Sequence, residues 1–154
     1  MHQSMRREDR GITDEDALAV LDRAQYGMLS TVSADGTPYG VPLGFCRDGD
    51  RIYFHCALTG RKLDNIAHDS RVSFCVVGRT ELLPEQFAMN YQSVIVEGRA
   101  AEVAGDERMR ALMGLLRKYS PEHLEAGGRY IATAGAKTRV YAIAIDGLCG
   151  KSRQ

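Results

Sequence analysis

"YGMLSTVSADGTPYGVPLGFCRDGDRIYFHC", residues 26–56, sets the architecture of this chain. Three apolar runs, at 26–33, 38–46 and 51–56, are separated by Asp35–Gly36 and Asp48–Gly49. An Asp-Gly pair between apolar runs is a strong hairpin signal, because the tight turns that match strand twist need positive φ. Two such turns in succession predict an antiparallel meander. If both loops hold two residues, 38–46 is its middle strand and Pro42 lies opposite His55.

Upstream, "TDEDALAVLDRAQ" predicts a helix with Thr13 as N-cap and Asp14, Glu15 and Asp16 in its first turn. Downstream, Leu63, Ile66 and Ala67 fall at i, i+3 and i+4 and predict a short helix over 60–69. Strands follow at 71–78 and 93–103, joined by a Pro-containing connection over 80–90. A second amphipathic helix near 106–119 places Met109, Leu112, Met113 and Leu116 on one side. A Gly- and Ala-rich connection, 126–137, leads to a last strand at 138–146. Six or so short strands with few helices predict a mainly β, α+β chain: an antiparallel barrel with helices outside it. At 154 residues, one domain over 1–154 is expected. Strands 71–78 and 138–146 are apolar at odd and even positions alike, so both their faces should be covered. The helices are too few for that, which makes a second subunit the expected cover and the chain a homodimer.

Twenty basic and twenty acidic residues cancel, so no global field recruits nucleic acid. No apolar run reaches the ~18–20 residues of a membrane span, and no secretory apolar region is present, so a cytoplasmic protein with no membrane partner is expected. Cys46, Cys56, Cys75 and Cys149 form no CxxC pair and read as reduced, buried thiols. The histidines at 2, 55, 68 and 123 are too scattered for a zinc site, and no metal is expected.

Two local irregularities carry the functional reading. The first is the pair Arg61–Lys62, which opens the helix at 60–69. A cation in a first turn opposes the helix dipole at a cost of about 0.3–1 kcal/mol, and the other two helices open with acids. The second is "GVPLG", 40–44, where Gly40, Pro42 and Gly44 occupy one face of a strand. Proline cannot donate to a ladder, and glycine leaves backbone open to close approach. A flat ligand against Val41, Pro42, Leu43 and Gly44, with a phosphate reaching 59–62, accounts for both. Helix-start amides, Thr59, a bidentate Arg61 and Lys62 would hold that phosphate. No GxGxxG is present, and "GKS" at 150–152 lacks the preceding glycine and following helix of a P-loop.

The order "YGMLSTVSADGTPYGVPLGF", "IYFHCALTGRKLDNI" with "RVSFCVV", "YQSVIVEGRA" and a terminal "CGK" resembles the FMN-binding split barrels related to pyridoxamine-phosphate oxidase, closest to their nitroimidazole-resistance branch. The resemblance spans roughly Met5 to Lys151. It implies a homodimeric, six-stranded antiparallel split β-barrel with peripheral helices and FMN at the subunit interface. It further implies that Pro42–Gly44 meet the isoalloxazine through their backbone. His55, Cys56, Ala57, Leu58 and Thr59 would then run along the ribityl chain, and Gly60, Arg61 and Lys62 hold the phosphate. Gln92 and Ser93 would approach the flavin from across the dimer, and His55 would take part in reduction. Lys151 matches a closing Thr-Gly-Lys, with Cys149 in place of the threonine.

The expected function is an FMN-dependent oxidoreductase, in which NAD(P)H or another donor reduces the flavin and a nitroaromatic or quinone-like small molecule accepts the electrons. Imidazole takes up and releases protons near neutrality, which suits His55 to a proton donor's role as well as to a structural one. Two alternatives are a non-catalytic flavin or haem binding or storage protein, and a deazaflavin-dependent reductase. No nucleophile–base pair supports hydrolysis or group transfer.

Overall fold

The computed structural model describes residues 5–154, so His2 lies outside the described part. Helix α1 (Asp14–Arg23) is capped as its sequence demands, Thr13 Oγ1 accepting from the Asp16 amide at 3.1 Å. It is followed by β1 (Gly27–Val32), β2 (Pro38–Leu43), β3 (Cys46–Asp48) and β4 (Arg51–Cys56). Then come α2 (Arg61–His68), β5 (Arg71–Leu83), β6 (Ala88–Glu102), α3 (Gly105–Tyr119), α4 (Leu124–Ala134) and β7 (Arg139–Arg153). The strands form one antiparallel sheet in the order β2-β1-β5-β6-β7-β4-β3.

The meander predicted over 26–56 is not what forms. The run 38–46 breaks at Gly44–Phe45 into β2 and β3, which lie on opposite edges of the sheet. Pro42 is paired with Met28 of β1, and His55 with Val140 of β7. Pro42 therefore sits on an edge strand, where its missing N–H costs nothing. The loop lengths differ as well. Val32 pairs with Pro38 across a longer loop, in which the Asp35 carboxylate accepts from the Thr37 amide at 2.9 Å. Asp48 pairs with Arg51, so the two-residue turn is Gly49–Asp50. Because consecutive segments supply both edges, the sheet curls toward closure and stays open between β2 and β4. Seven strand segments result, or six if 38–48 counts as one broken strand, and the architecture is the expected split barrel.

The interior of the curl holds the main core. Phe45 and Phe74 meet edge to face at 4.9 Å, with Leu21, Leu29, Ile52, Phe54, Val94 and Ile143 fully buried around them. A second apolar layer forms on the outer side of β4 and β7, where Tyr53, Val140 and Ala142 pack under Ala111, Leu112 and Leu115 of α3. The face of α3 is thus rotated from the expected one, and Met109 is 47% exposed. The second face of 138–146 is covered by α3, so a subunit is not needed there.

Three further boundaries move. The 80–90 connection is mostly strand, because β5 and β6 continue as a long hairpin closed by a turn at Pro84–Gln86. The 126–137 connection is mostly α4, a helix that buries none of its residues. β7 runs on through the terminal Gly150–Lys151, where the Ile12 amide donates to the Gly150 carbonyl at 3.2 Å and Gly11 bridges Lys151. No helix of the described residues is long and apolar enough to cross a membrane.

Candidate functional site

Two unpaired strand edges and one helix start converge at the split. β2 pairs with β1 alone, and its far edge is free. β4 pairs with β3 only as far as Tyr53, so Phe54–Cys56 are paired on the β7 side alone. From Cys56 the chain passes through Ala57, Leu58 and Thr59, all exposed, to Gly60. Gly60 has φ +152°, a conformation that a side chain would strain, and it caps α2 without help from any side chain. The amides of Leu63 and Asp64 donate back to its carbonyl at 2.9 and 3.1 Å.

Arg61 reaches away from its own helix. Its guanidinium lies 4.5 Å from the centre of the Tyr39 ring, and Nη2 donates to Ser33 Oγ at 3.3 Å. That contact ties the start of α2 to the β1–β2 loop and places residues 59–62 beside β2. Lys62 is half-buried and makes no ion pair among the described residues. Neither cation pairs with Asp64 or Asp69; Asp69 instead holds Arg71, and that guanidinium keeps its carboxyl well below the usual carboxylate range. Behind the helix start, Asn65 Nδ2 donates to Thr31 Oγ1 at 2.9 Å, a buried polar pair that locks α2 to β1.

On β2 the side chains alternate. Val41 and Leu43 pack against the core, and Pro42 is exposed on the opposite face. That outer face carries no side chain at Gly40 or Gly44 and is open to a flat molecule. Its upper end is set by Tyr119 of α3. The Tyr119 hydroxyl accepts from the Phe45 amide at 2.9 Å and donates to the Gln25 carbonyl at 2.6 Å, with the Phe45 carbonyl at 3.1 Å. A Cβ on Gly44 would come within 3.2 Å of the same oxygen. His55 is exposed on the outer side of β4 and lines a small cavity with Tyr119. Cys56 points inward; burial pushes its thiol up, and its Sγ faces the Arg139 carbonyl at 3.7 Å.

The structure therefore sets Arg61 against Tyr39 and the β1–β2 loop, with Lys62 next to it and His55–Thr59 leading into the helix start, while Val41–Gly44 lie on the same edge strand as Tyr39. It does not bring Gln92, Ser93 or Lys151 there. Ser93 pairs with Lys151 on β7 and with Val77 on β5, and β1 and β5 stand between β6 and β2. Three strand spacings of about 4.8 Å separate β6 from β2. Lys151 lies eleven residues along β7 from Val140, the partner of His55. Tyr39 and Ser33, which hold Arg61, escaped sequence reasoning although period two puts Tyr39 on the face of Val41 and Leu43. Nothing in the sequence pointed to Tyr119, 74 residues from Phe45.

A family model described as pyridoxamine 5'-phosphate oxidase matches residues 13–152. No curated protein matches in sequence. Among solved structures, the chain is similar to a protein of Bacteroides thetaiotaomicron proposed to confer 5-nitroimidazole antibiotic resistance, with a TM-score of 0.79, 18% identity and 98% of this chain covering 96% of that one. It is similar to the flavocytochrome Anf3 of Azotobacter vinelandii, with a TM-score of 0.80, 22% identity and 99% of this chain covering 73% of that one. It also resembles HutZ, the haem storage protein of Vibrio cholerae, with a TM-score of 0.63, 14% identity and 88% of this chain covering 92% of that one.

Proposed function

From the premise that this chain belongs to the pyridoxamine 5'-phosphate oxidase family, we propose that it is a single-domain, FMN-binding flavoprotein working as an oxidoreductase. The observation that carries this reading is the start of α2. Two cations and Thr59 flank a helix start that no side chain caps, and Arg61 stacks on Tyr39 of β2, the strand whose backbone is open at Gly40 and Gly44. Arg61 and Lys62 would hold the phosphate, with Thr59 adding a hydroxyl. The backbone of Val41–Gly44 would carry the ring, and His55–Leu58 would border the chain between them.

When bound, FMN supplies the redox chemistry, passing electrons from a donor such as NAD(P)H to an electron-poor acceptor such as a nitroaromatic or a quinone. The chain's own residues position, shield and protonate. Tyr119 fixes the Gly44–Phe45 break against α3. His55, exposed at the cleft, is placed to donate a proton to a reduced acceptor through its imidazole.

A second copy of the chain would complete the site. Met28, Val77 and Ile95 form an exposed apolar patch, 40%, 59% and 43% accessible, on the outer face of β1, β5 and β6. No helix covers it. Pairing through that patch would deliver Gln92, Ser93 and Lys151 of a second copy to the cleft. The four cysteines are free thiols, which fits the reducing cytoplasm.

The test is the spectrum of the purified protein and mass spectrometry of whatever it releases on denaturation. FMN is expected; haem or a deazaflavin would overturn the assignment. Replacing Arg61 and Lys62 together by Ala should remove about 3 kcal/mol of phosphate binding, roughly a hundredfold in flavin affinity, without lowering the melting temperature by more than a few degrees. Unchanged affinity would refute the phosphate site. Oxidation of NADPH only when a nitroaromatic is present would support turnover, and none with any donor would favour a storage or binding role.

A further inference from the structure

We infer that the cavity between α3, α4 and the end of β4 is a binding site for one small, uncharged, planar aromatic molecule, and that the electron acceptor of the proposed flavoprotein lies there. The second half rests on the flavin reading; the first does not. The cavity has a volume of about 210 Å³, walled by Leu112, Leu115 and Leu116 of α3 and by Ile131 and Ala134 of α4. His55, Tyr119 and Tyr130 line it as well, together with Ser120 and Thr138. No Asp, Glu, Lys or Arg among the described residues lines it.

Size and lining decide the ligand class. An apolar cavity of ~150 Å³ already accommodates a benzene ring, so this one fits a single substituted ring and not a fused tricycle. An ion would find no opposite charge among the lining residues, which favours an uncharged ligand. One imidazole and a few hydroxyl-bearing side chains in a mainly apolar wall suit a ring with a polar, uncharged substituent, such as a nitro or carbonyl group.

Two features indicate a place made for an occupant. α4 buries none of its residues fully: Ile131 meets the apolar layer beneath α3 and Gly127 lies against Leu116, while Tyr130 is 70% exposed, so part of the helix is left without packing. It is nevertheless held in position, because Arg108 Nη2 donates to the carbonyls of Gly135 and Thr138 at 2.5 and 3.0 Å. A bound ring would add apolar contact to the side of α4 that Ile131 and Gly127 do not pack. The cavity also adjoins the cleft, since Tyr119 lines it and its hydroxyl lies 3.2 Å from the position a Cβ of Gly44 would take. His55 lines the cavity and lies on the segment that leads to the start of α2.

Nitrobenzene, toluene and benzoate are the probes, with affinities measured by calorimetry on the full-length protein and flavin affinity measured separately by fluorescence. Ala134→Phe, which fills the cavity, should weaken nitrobenzene binding by roughly tenfold or more and leave flavin affinity within about twofold. His55→Leu should abolish the preference for nitrobenzene over toluene. Nitrobenzene binding untouched by Ala134→Phe, or benzoate bound as tightly as nitrobenzene, overturns the site. If nitrobenzene responds to Ala134→Phe but the protein takes up no flavin, the ring site stands, and the acceptor role falls with the flavin reading. Should circular dichroism show Ala134→Phe to be misfolded, crystals of the unaltered protein soaked with nitrobenzene decide. Density for the ring between α3 and α4 supports the site, and its absence there overturns it.

Discussion

Lys118 holds its ammonium 3.7 Å from the centre of the Phe45 ring, enclosed and without a hydrogen-bond partner. The π face offsets part of the lost hydration, but burial still lowers the amine's pKa from 10.5. Below the lowered value the amine is charged in folded and unfolded chains alike, and the burial cost is fully present. As pH rises past that value toward 10.5, the folded chain loses its proton first and the cost fades. Lys118→Met keeps the stem and removes the charge. It should raise stability by about 1 kcal/mol at pH 7, with the gain vanishing as pH approaches 10.5; urea melts at both pH values check this. The neighbouring Tyr119 has the opposite sensitivity. Tyr119→Phe leaves the Phe45 amide and the Gln25 carbonyl unpaired and should cost about 1–3 kcal/mol by the same measurement. Because Tyr119 borders Gly44, flavin affinity should fall with it. These roles were not legible beforehand, since a tyrosine's partners 74 residues away leave no mark in local pattern.

α2 shows how an element carries function and stability through separate contacts. Its inner face, Leu63 and Ile66, was legible from spacing and is buried as that spacing requires. Asn65 lies on the same side, 4% exposed, and its side-chain amide donates to Thr31. Asn65→Ala should cost about 1–3 kcal/mol in unfolding free energy while leaving Arg61 and Lys62 untouched. Gly60→Ala should act in the other direction. Its strain of about 1–3 kcal/mol falls on the turn before Arg61, so flavin affinity should drop even where the remaining fold is retained, as titration against circular dichroism would show. α4 was the element that sequence reading missed. Gly127 and Gly128 lower helix propensity, and a helix that buries no residue needs no regular apolar stripe. The bulge in β7 at Asp146, opposite Glu97 and Gly98 of β6, was equally silent. A Cβ on Gly98 would stand 2.1 Å from the Ala144 carbonyl oxygen, a contact visible only once β6 and β7 are paired.

At the scale of the whole molecule, the two halves of the sheet's outer face have different fates. α3 covers β4 and β7, whereas the outer face of β1, β5 and β6 carries Met28, Val77 and Ile95 uncovered. Charge placed there should be tolerated by a monomer and resisted by a dimer. Ile95→Glu is expected to halve the mass seen in sedimentation and to release flavin; a mass unchanged from an unaltered monomer would refute pairing through this face. By itself the sequence determined the elements whose signals are local: the cap of α1, the apolar stripe of α2, the turn glycines, and most of the strand runs. It also marked the two irregularities at 40–44 and 61–62, since a proline in a ladder and cations at a helix start break rules that act within a few residues. Tertiary structure alone decided that 38–48 splits to supply both edges of one sheet, that His55 faces Val140 and not Pro42, and that Tyr39 holds Arg61. Strand register and edge position are set by pairing between segments far apart in the chain, and local residue preference does not encode which partner each edge will find.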